Sequence, residues 1–350
     1  MRRVCELTRD VHMVGTYPAP TTREAMETMT RAAAGCGLRT LPDGEVGDRL
    51  DWVVKVINGL ADHPDLEMVK EGRWADYQDD MRFRVRRGHR VDPETIDLGY
   101  AAAAERSYRE FTELRQATPA LEHTAFQVGL PSDLAFSFFS FGPVPAFAKR
   151  GLFRAALARE VTEIRTHTGD DAVFQIELPV ETVLAGKPPG PLRGAMAGVL
   201  ARGVAATVTA MPRGTRFGLH LCFGDLNRKS LVYPADAAAL ATLTNALGRA
   251  WPAGYPLEFV HLPLAFGDRP PVTGEAFYRP LAGLRLPEGV RLIAGLAHED
   301  QSIGDQRAVL GMVERCTRRE VAVANSCGLG RRDRELADAA LARAVELAGT

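Results

Sequence analysis

Eight short apolar segments alternate with amphipathic stretches of helical period along the chain, and this alternation limits the folds it can adopt. The segments are rich in Val, Ile, Leu and Phe and end in Gly, Pro or polar clusters, as strands do. Strands separated by helices favour a parallel sheet, and eight of them favour closure into a barrel. We therefore predict an α/β protein built as a single (β/α)8 TIM barrel. The predicted strands are Val11–Tyr17, Leu38–Leu41, Thr124–Gly129, Ala172–Leu178, Arg216–Phe223, Leu257–Leu262, Val290–Gly295 and Val321–Asn325.

An open nucleotide-binding sheet is the competing fold, but it requires a Gly-x-Gly-x-x-Gly turn after an early strand, and the sequence contains none. The 350 residues show no internal repeat and no second domain boundary, so residues 1–350 are predicted to form one barrel domain. Residues 64–97 fit neither a strand nor a helix and are highly charged. We interpret them as a segment inserted after the second strand, either a lid over one end of the barrel or a contact in a homodimer.

Composition excludes several classes of function. The 43 Lys and Arg residues are balanced by 44 Asp and Glu, so the chain lacks the basic excess that nucleic-acid binding requires. No apolar stretch approaches the roughly 18 residues needed to span a membrane, and the first ten residues lack the apolar core of a signal peptide. Five cysteines, an odd number, do not suggest a disulfide framework. A cytoplasmic location is the expectation.

Residues capable of binding a metal follow three of the predicted strands. His220 and Cys222 are two positions apart in one strand, so both side chains can face the same side. Chemistry in such barrels sits at the C-terminal strand ends, where Cys327 can add a second thiolate and Glu258, on the next strand, a carboxylate. This soft donor set favours zinc over magnesium or calcium.

Alternatives to this metal site stay open from the residues alone. His220 and Cys222 can equally be core residues of a buried strand, and Glu258 can bind substrate or form an ion pair at a strand end. His261, after the sixth strand, is interpreted as a loop histidine rather than a support for the metal ligands. If zinc is bound, ligands from separate strands around a cavity suit a metal that exchanges one ligand for a substrate. Zinc holds a bound thiol as a thiolate, a strong nucleophile for an alkyl group.

Five sequence pieces at the strand ends, taken in order, resemble the C-terminal catalytic barrel of cobalamin-independent methionine synthase. They also resemble the wider barrel superfamily that includes uroporphyrinogen decarboxylase and zinc-dependent methyl and alkyl transferases. Each piece alone is short, and the order and placement of all five carry the resemblance. The pieces are Val14-Gly15-Thr16-Tyr17-Pro18, Asp43-Gly44-Glu45 with Arg49 and Asp51-Trp52-Val53, Gln175-Ile176-Glu177-Leu178-Pro179, His220-Leu221-Cys222, and Ser326-Cys327-Gly328-Leu329.

The resemblance implies a role for each matching position. The implied zinc ligands are His220, Cys222 and Cys327, with Glu258 as the fourth. The implied amino-acid pocket consists of Gly15, Thr16, Glu45 and Glu177. A histidine near the seventh strand end manages a proton in the family. Here His298 and Asp300 stand in exchanged order, so their catalytic roles are either swapped or lost.

The function implied is zinc-dependent methyl or alkyl transfer to a small thiol such as homocysteine, through a zinc-bound thiolate. The partners would be a small-molecule thiol and a methyl donor. The donor need not be a folate, because the family's N-terminal barrel, which helps hold the folate, has no counterpart in these 350 residues. A metal-free lyase or decarboxylase of the same superfamily is the alternative, and a non-enzymatic small-molecule carrier is the third reading.

Overall fold

The computed structural model describes residues 9–349, which form a barrel of eight parallel strands surrounded by helices. The predicted (β/α)8 barrel is confirmed. The strands are β1 (Val11–His12), β2 (Thr40–Pro42), β3 (Leu66–Lys70), β4 (Arg82–Val85), β5 (Ala125–Pro131), β6 (Ala172–Leu178), β7 (Arg216–Leu221), β8 (Leu257–Pro263), β9 (Arg291–Ala297) and β10 (Ala322–Asn325). The barrel strands follow one another in the order β1-β10-β9-β8-β7-β6-β5-β2, and a separate pair, β3 and β4, forms a hairpin.

Ten α-helices occur in the described part of the chain, and most of them pack against the outside of the barrel. They are α1 (Thr22–Ala32), α2 (Trp52–Gly59), α3 (Tyr100–Ala117), α4 (Asp133–Phe141), α5 (Pro143–Thr168), α6 (Pro179–Gly186), α7 (Gly190–Thr209), α8 (Ala238–Ala250), α9 (Ile303–Thr317) and α10 (Arg334–Ala348). Within residues 9–349, no helix combines the length and the apolar character that crossing a membrane demands.

The two end strands of the sheet meet through a short backbone contact. The amide of Val11 donates to the carbonyl of Gly37 at 2.9 Å, and Asp10 and Gly37 form a parallel bridge. β1 pairs with β10 and β2 with β5 on their other sides. The sheet is therefore nearly closed, and the C-terminal ends of all eight strands lie at one mouth.

The barrel interior is filled in layers. An apolar layer occupies the lower part, formed by Val14, Ala125, Val173, Phe259, Ile293, Ala322 and Ala324. Gly218 leaves room for the ring of Phe259, which any Cβ at that position would overlap. Above this layer the inward positions are polar, and the side-chain amides of Gln127 and Gln175 both donate to the carbonyl of Val14, at 3.0 and 2.7 Å. Polar chemistry is thereby confined to the upper layers, near the mouth.

The segment between β2 and α3 contains the β3–β4 hairpin, which the sequence did not indicate. From this segment, the hydroxyl of Tyr77 accepts from the amide of Leu226 at 2.8 Å and donates to the carbonyl of Lys229 at 3.1 Å. Asn227 donates its side-chain amide to the carbonyl of Ala75 at 2.7 Å. Because these partners follow β7, the segment between β2 and α3 reaches the C-terminal end of the barrel.

Candidate active site

Three of the predicted metal ligands converge at the barrel mouth. His220 and Cys222 come from the end of β7, and Cys327 comes from the turn after β10. The Cys222 and Cys327 sulfurs are 3.8 Å apart, and the Cys327 sulfur is 3.7 Å from Nε2 of His220. One donor atom from each residue lies within 4.8 Å of the other two.

These separations fit the edges of a zinc coordination tetrahedron. Zinc bonds of about 2.3 Å to sulfur and about 2.0–2.1 Å to nitrogen place two sulfur ligands about 3.8 Å apart and a sulfur and a nitrogen about 3.6 Å apart. The observed 3.8 and 3.7 Å match both values. The amide of Gly224 also donates to the Cys222 sulfur at 3.2 Å, a contact that stabilises a thiolate. The donor set therefore suits zinc in both chemistry and spacing.

The Cys222 sulfur strongly affects the ionisation of Cys327. The adjacent thiol of Cys222, followed by burial, raises the pKa of Cys327 well above its ordinary value, and the carboxylates of Asp225 and Glu177 add to the rise. Holding both sulfurs as thiolates at such a distance requires a compensating positive charge.

His261 lies inside the barrel beside His220, and the interpretation of it as a loop histidine is wrong. It belongs to β8 and is directly paired with His220 in the register of β7 and β8. Its Nδ1 is 2.7 Å from Nδ1 of His220, and its Nε2 is 2.9 Å from the carbonyl oxygen of Asn325. Both rings are fully enclosed. Burial lowers the pKa of His261 to about 4 and that of His220 well below its ordinary value, so both imidazoles are neutral at pH 7.

Glu258 is not brought to this cluster, which corrects the prediction that it is the fourth ligand. It is the second residue of β8, near the N-terminal end, whereas His261 lies higher on the same strand. Alternation along the strand places Glu258 on the face opposite Phe259 and His261. Its carboxylate forms an ion pair with Arg216, the first residue of β7. The sequence left open an ion pair at a strand end as the role of Glu258, and the structure has this arrangement.

The four residues of the predicted amino-acid pocket line one small cavity of about 70 Å³. Gly15, Thr16, Glu45 and Glu177 contribute to its wall together with Cys327 and Arg331. Thr16 is fixed by the turn that carries Cys327, because its hydroxyl accepts from the amide of Gly330 at 3.1 Å. The cavity thus opens directly beside one of the candidate metal ligands.

Two part-buried carboxylates approach each other in this cavity across Gly129. A Cβ at that position would lie 2.8 Å from Oε1 of Glu45 and 3.3 Å from Oε1 of Glu177, so glycine leaves room for both side chains. Burial raises the pKa of Glu177 to about 7, although the nearby Arg331 opposes the rise. Burial and the charge of Glu177 raise the pKa of Glu45 well above its ordinary value. A cationic group bound between the two would relieve this repulsion.

His298 and Asp300 lie together with Glu299 in a second group at the end of β9. His298 is fully buried, and its Nδ1 accepts from the amide of Asp300 at 3.1 Å. Its Nε2 has no hydrogen-bond partner among residues 9–349, whereas 60% of the Asp300 side chain is exposed. Arg228 and Arg332 hold Glu299 in ion pairs. The structure therefore separates the two predicted catalytic residues into a buried imidazole and an exposed carboxylate.

Two charged residues at the mouth were not predicted from the sequence. Arg331 extends into the cavity, where its Nε donates to Asp51 at 2.9 Å. Asp225 is buried 3.9 Å from Arg331, and burial raises its pKa to about 6. Both follow a predicted strand end by only a few residues, and that position was the available signal.

Comparisons with known proteins agree with this fold. No protein-family model and no curated protein sequence matches the chain. A B12-independent methionine synthase from Shewanella sp. W3-18-1, solved in complex with selenomethionine, has a TM-score of 0.61 at 13% identity, covering 98% of this chain and 97% of its own. A methyltransferase from Methanosarcina mazei has a TM-score of 0.47 at 13% identity, with 97% and 94% covered. This chain therefore shares, over nearly its whole length, the barrel fold of the Shewanella enzyme.

Proposed function

We propose that this protein is a zinc-dependent methyl or alkyl transferase that acts on a small thiol such as homocysteine. The observation that carries the proposal is the closeness of the donor atoms of His220, Cys222 and Cys327, which all lie within 4.8 Å of one another. The two separations from the Cys327 sulfur match the edges of a zinc tetrahedron. The carboxylate-lined cavity that opens beside Cys327 supports it. Membership of the methionine-synthase superfamily, indicated by the sequence and in keeping with the shared fold, is part of the same proposal.

His220, Cys222 and Cys327 would hold the metal with three protein ligands and leave the fourth position for the acceptor. A bound zinc ion supplies Lewis acidity that keeps an incoming thiol deprotonated at neutral pH. The absence of Glu258 from the cluster favours this open arrangement, because catalytic zinc sites keep one position free of protein ligands.

The cavity residues would orient the acceptor. Glu45 and Glu177 can pair with an ammonium group, and the hydroxyl of Thr16 with the neighbouring backbone amides can hold a carboxylate. Arg331 offers a positive charge on the same wall. An α-amino acid bearing a thiol carries both of the groups that this lining recognises.

His298, which follows β9, and the inserted segment would assist the leaving group and shield the site from solvent. The unpartnered Nε2 of His298 can donate a hydrogen bond to the leaving group of the methyl donor, because Nδ1 of the same ring accepts from a backbone amide, and the exposed Asp300 does not match this role. The inserted segment, held to the loop after β7 through Tyr77, would act as a lid. The metal-free lyase or decarboxylase reading gives no reason for two sulfurs and an imidazole nitrogen to meet at tetrahedral spacing.

Metal analysis of the purified protein tests the proposal. We expect one equivalent of zinc in the wild type after reconstitution and loss of both zinc and thiol methylation in Cys327→Ser, because two ligands alone bind weakly. Cys316→Ser in α9 is the matched control, since Cys316 lies outside the metal-capable cluster. Zinc content is measured by elemental analysis and methylation by product detection. A zinc-free protein that methylates thiols at the full rate would refute the proposal.

A further inference from the structure

We propose that His261 is a positioning residue that holds His220 in the tautomer whose Nε2 is free to bind a metal ion. The hydrogen-bond arrangement stands by itself, and its importance for metal binding rests on the proposed function. No sequence pattern assigned this role to His261, and its own ring does not belong to the group of three mutually close donor residues.

The first step of the argument is the carbonyl of Asn325. A carbonyl oxygen only accepts hydrogen bonds, so Nε2 of His261, 2.9 Å away, must carry the proton and donate it. A neutral imidazole has one protonated nitrogen, and Nδ1 of His261 is therefore an acceptor.

The second step is the contact between the two rings. Two nitrogens 2.7 Å apart require one hydrogen between them, and Nδ1 of His261 has none to give. Nδ1 of His220 must donate, which leaves the lone pair of that ring on Nε2. This is the nitrogen 3.7 Å from the Cys327 sulfur. Histidines that bind metals commonly donate their other nitrogen to such a partner, which fixes the tautomer and the ring orientation.

The third step is that the backbone holds the whole chain of hydrogen bonds in place. β7 and β8 pair His220 with His261, and the side chain of Asn325 donates to the carbonyls of Ala297 at 3.1 Å and Ala340 at 3.0 Å. Gly295 in β9 lies beside His261, and a Cβ there would overlap its imidazole. The site for the His261 ring is therefore built from three strands and α10.

Nitrogen-15 NMR of the full-length, zinc-free protein tests the tautomers directly. We expect His220 to be protonated at Nδ1 and His261 at Nε2, with the signals assigned by comparison with His220→Gln and His261→Phe. Protonation of His220 at Nε2 would overturn the proposal. The result does not depend on zinc binding, so it remains valid even if the proposed function fails.

Zinc affinity, measured by competition with a chromophoric chelator, tests the consequence. His261→Phe removes the acceptor and should weaken zinc binding 10- to 100-fold. His261→Asn can keep an oxygen near the position of Nδ1 and should recover most of the affinity, which a merely space-filling role does not predict. Gly295→Ala, which displaces the ring, should behave like His261→Phe. Equal affinity in all four proteins, or a second imidazole bound to zinc in X-ray absorption spectra of the wild type, would overturn the assignment.

Discussion

Replacing Glu177 with Gln is expected to weaken homocysteine binding by about a hundredfold. The substitution removes one of the two part-buried carboxylates that face each other across Gly129, which a bound ligand would enclose further. Loss of one partner from a buried, hydrogen-bonded charge pair costs about 2–5 kcal/mol, and each 1.4 kcal/mol is about tenfold in affinity. Thiol binding is measured by titration of cobalt-substituted protein, in which sulfur coordination produces a charge-transfer band.

The comparison ligand for this prediction is 4-mercaptobutanoate, which lacks the amino group of homocysteine. Its affinity should change little in Glu177→Gln, because it offers no ammonium group to the carboxylates. Glu181→Gln is the matched control, since Glu181 is a buried glutamate that does not line the cavity. If Glu177→Gln weakens both thiols equally, the carboxylates do not recognise the amino group.

The same carboxylate predicts how recognition depends on pH. Glu177 must be ionised to pair with an ammonium group, and burial raises its pKa to about 7. The preference for homocysteine over 4-mercaptobutanoate should therefore increase as the pH rises from 6 to 8. Taking the ratio of the two affinities cancels the ionisation of the thiol itself. A ratio that is flat over this range would contradict the assignment.

The bounds of a strand could be predicted where turn residues mark both of its ends. They were predicted less well where backbone groups bind side chains instead of the backbone of a neighbouring strand. The β6 prediction, Ala172–Leu178, is confirmed to the residue. The first strand was predicted over Val11–Tyr17, but the strand in the structure covers only Val11–His12. The carbonyls of Met13 and Val14 accept from glutamine side chains inside the barrel. Such long-range partners cannot be identified from local sequence.

The candidate metal ligands illustrate which part of a site a sequence can predict. The two-residue spacing of His220 and Cys222 predicts that both side chains point to one side at the end of β7, and their donor atoms do lie close together. Glu258 was chosen as a ligand by its residue type, and His261 was interpreted as a loop residue. Their actual places depend on the pairing between β7 and β8, which local sequence does not report. The spacing of two residues between Phe259 and His261, which puts both on the same face of β8, was the available signal.

The β3–β4 hairpin was missed because charged residues interrupt the apolar ones in both of its strands. β3 and β4 carry Glu67, Lys70, Arg82 and Arg84 alongside five apolar residues. An ion pair between Arg84 and Glu67 joins the two strands. In a two-stranded ribbon of such mixed composition, pairing depends on cross-strand contacts, which hydrophobic periodicity does not report.

Glu181→Gln is expected to stabilise the protein by about 3 kcal/mol at pH 8 and very little at pH 4. Glu181 lies in the first turn of α6, and neither carboxylate oxygen has a hydrogen-bond partner in the described part of the chain. Burial raises its pKa from 4.5 to about 7, and each unit corresponds to about 1.4 kcal/mol.

The sign follows from the protons bound in each state. Between pH 4.5 and 7 the unfolded chain releases the Glu181 proton while the folded protein keeps it, so the free energy of unfolding falls as the pH rises through this window. Above pH 7 the penalty is complete, and below pH 4.5 it vanishes because both states are protonated. Glutamine does not titrate and escapes the penalty. Urea unfolding of both proteins at pH 4 and pH 8 measures the difference, and an identical stability gain at the two pH values would show that burial of the charge is not its cause.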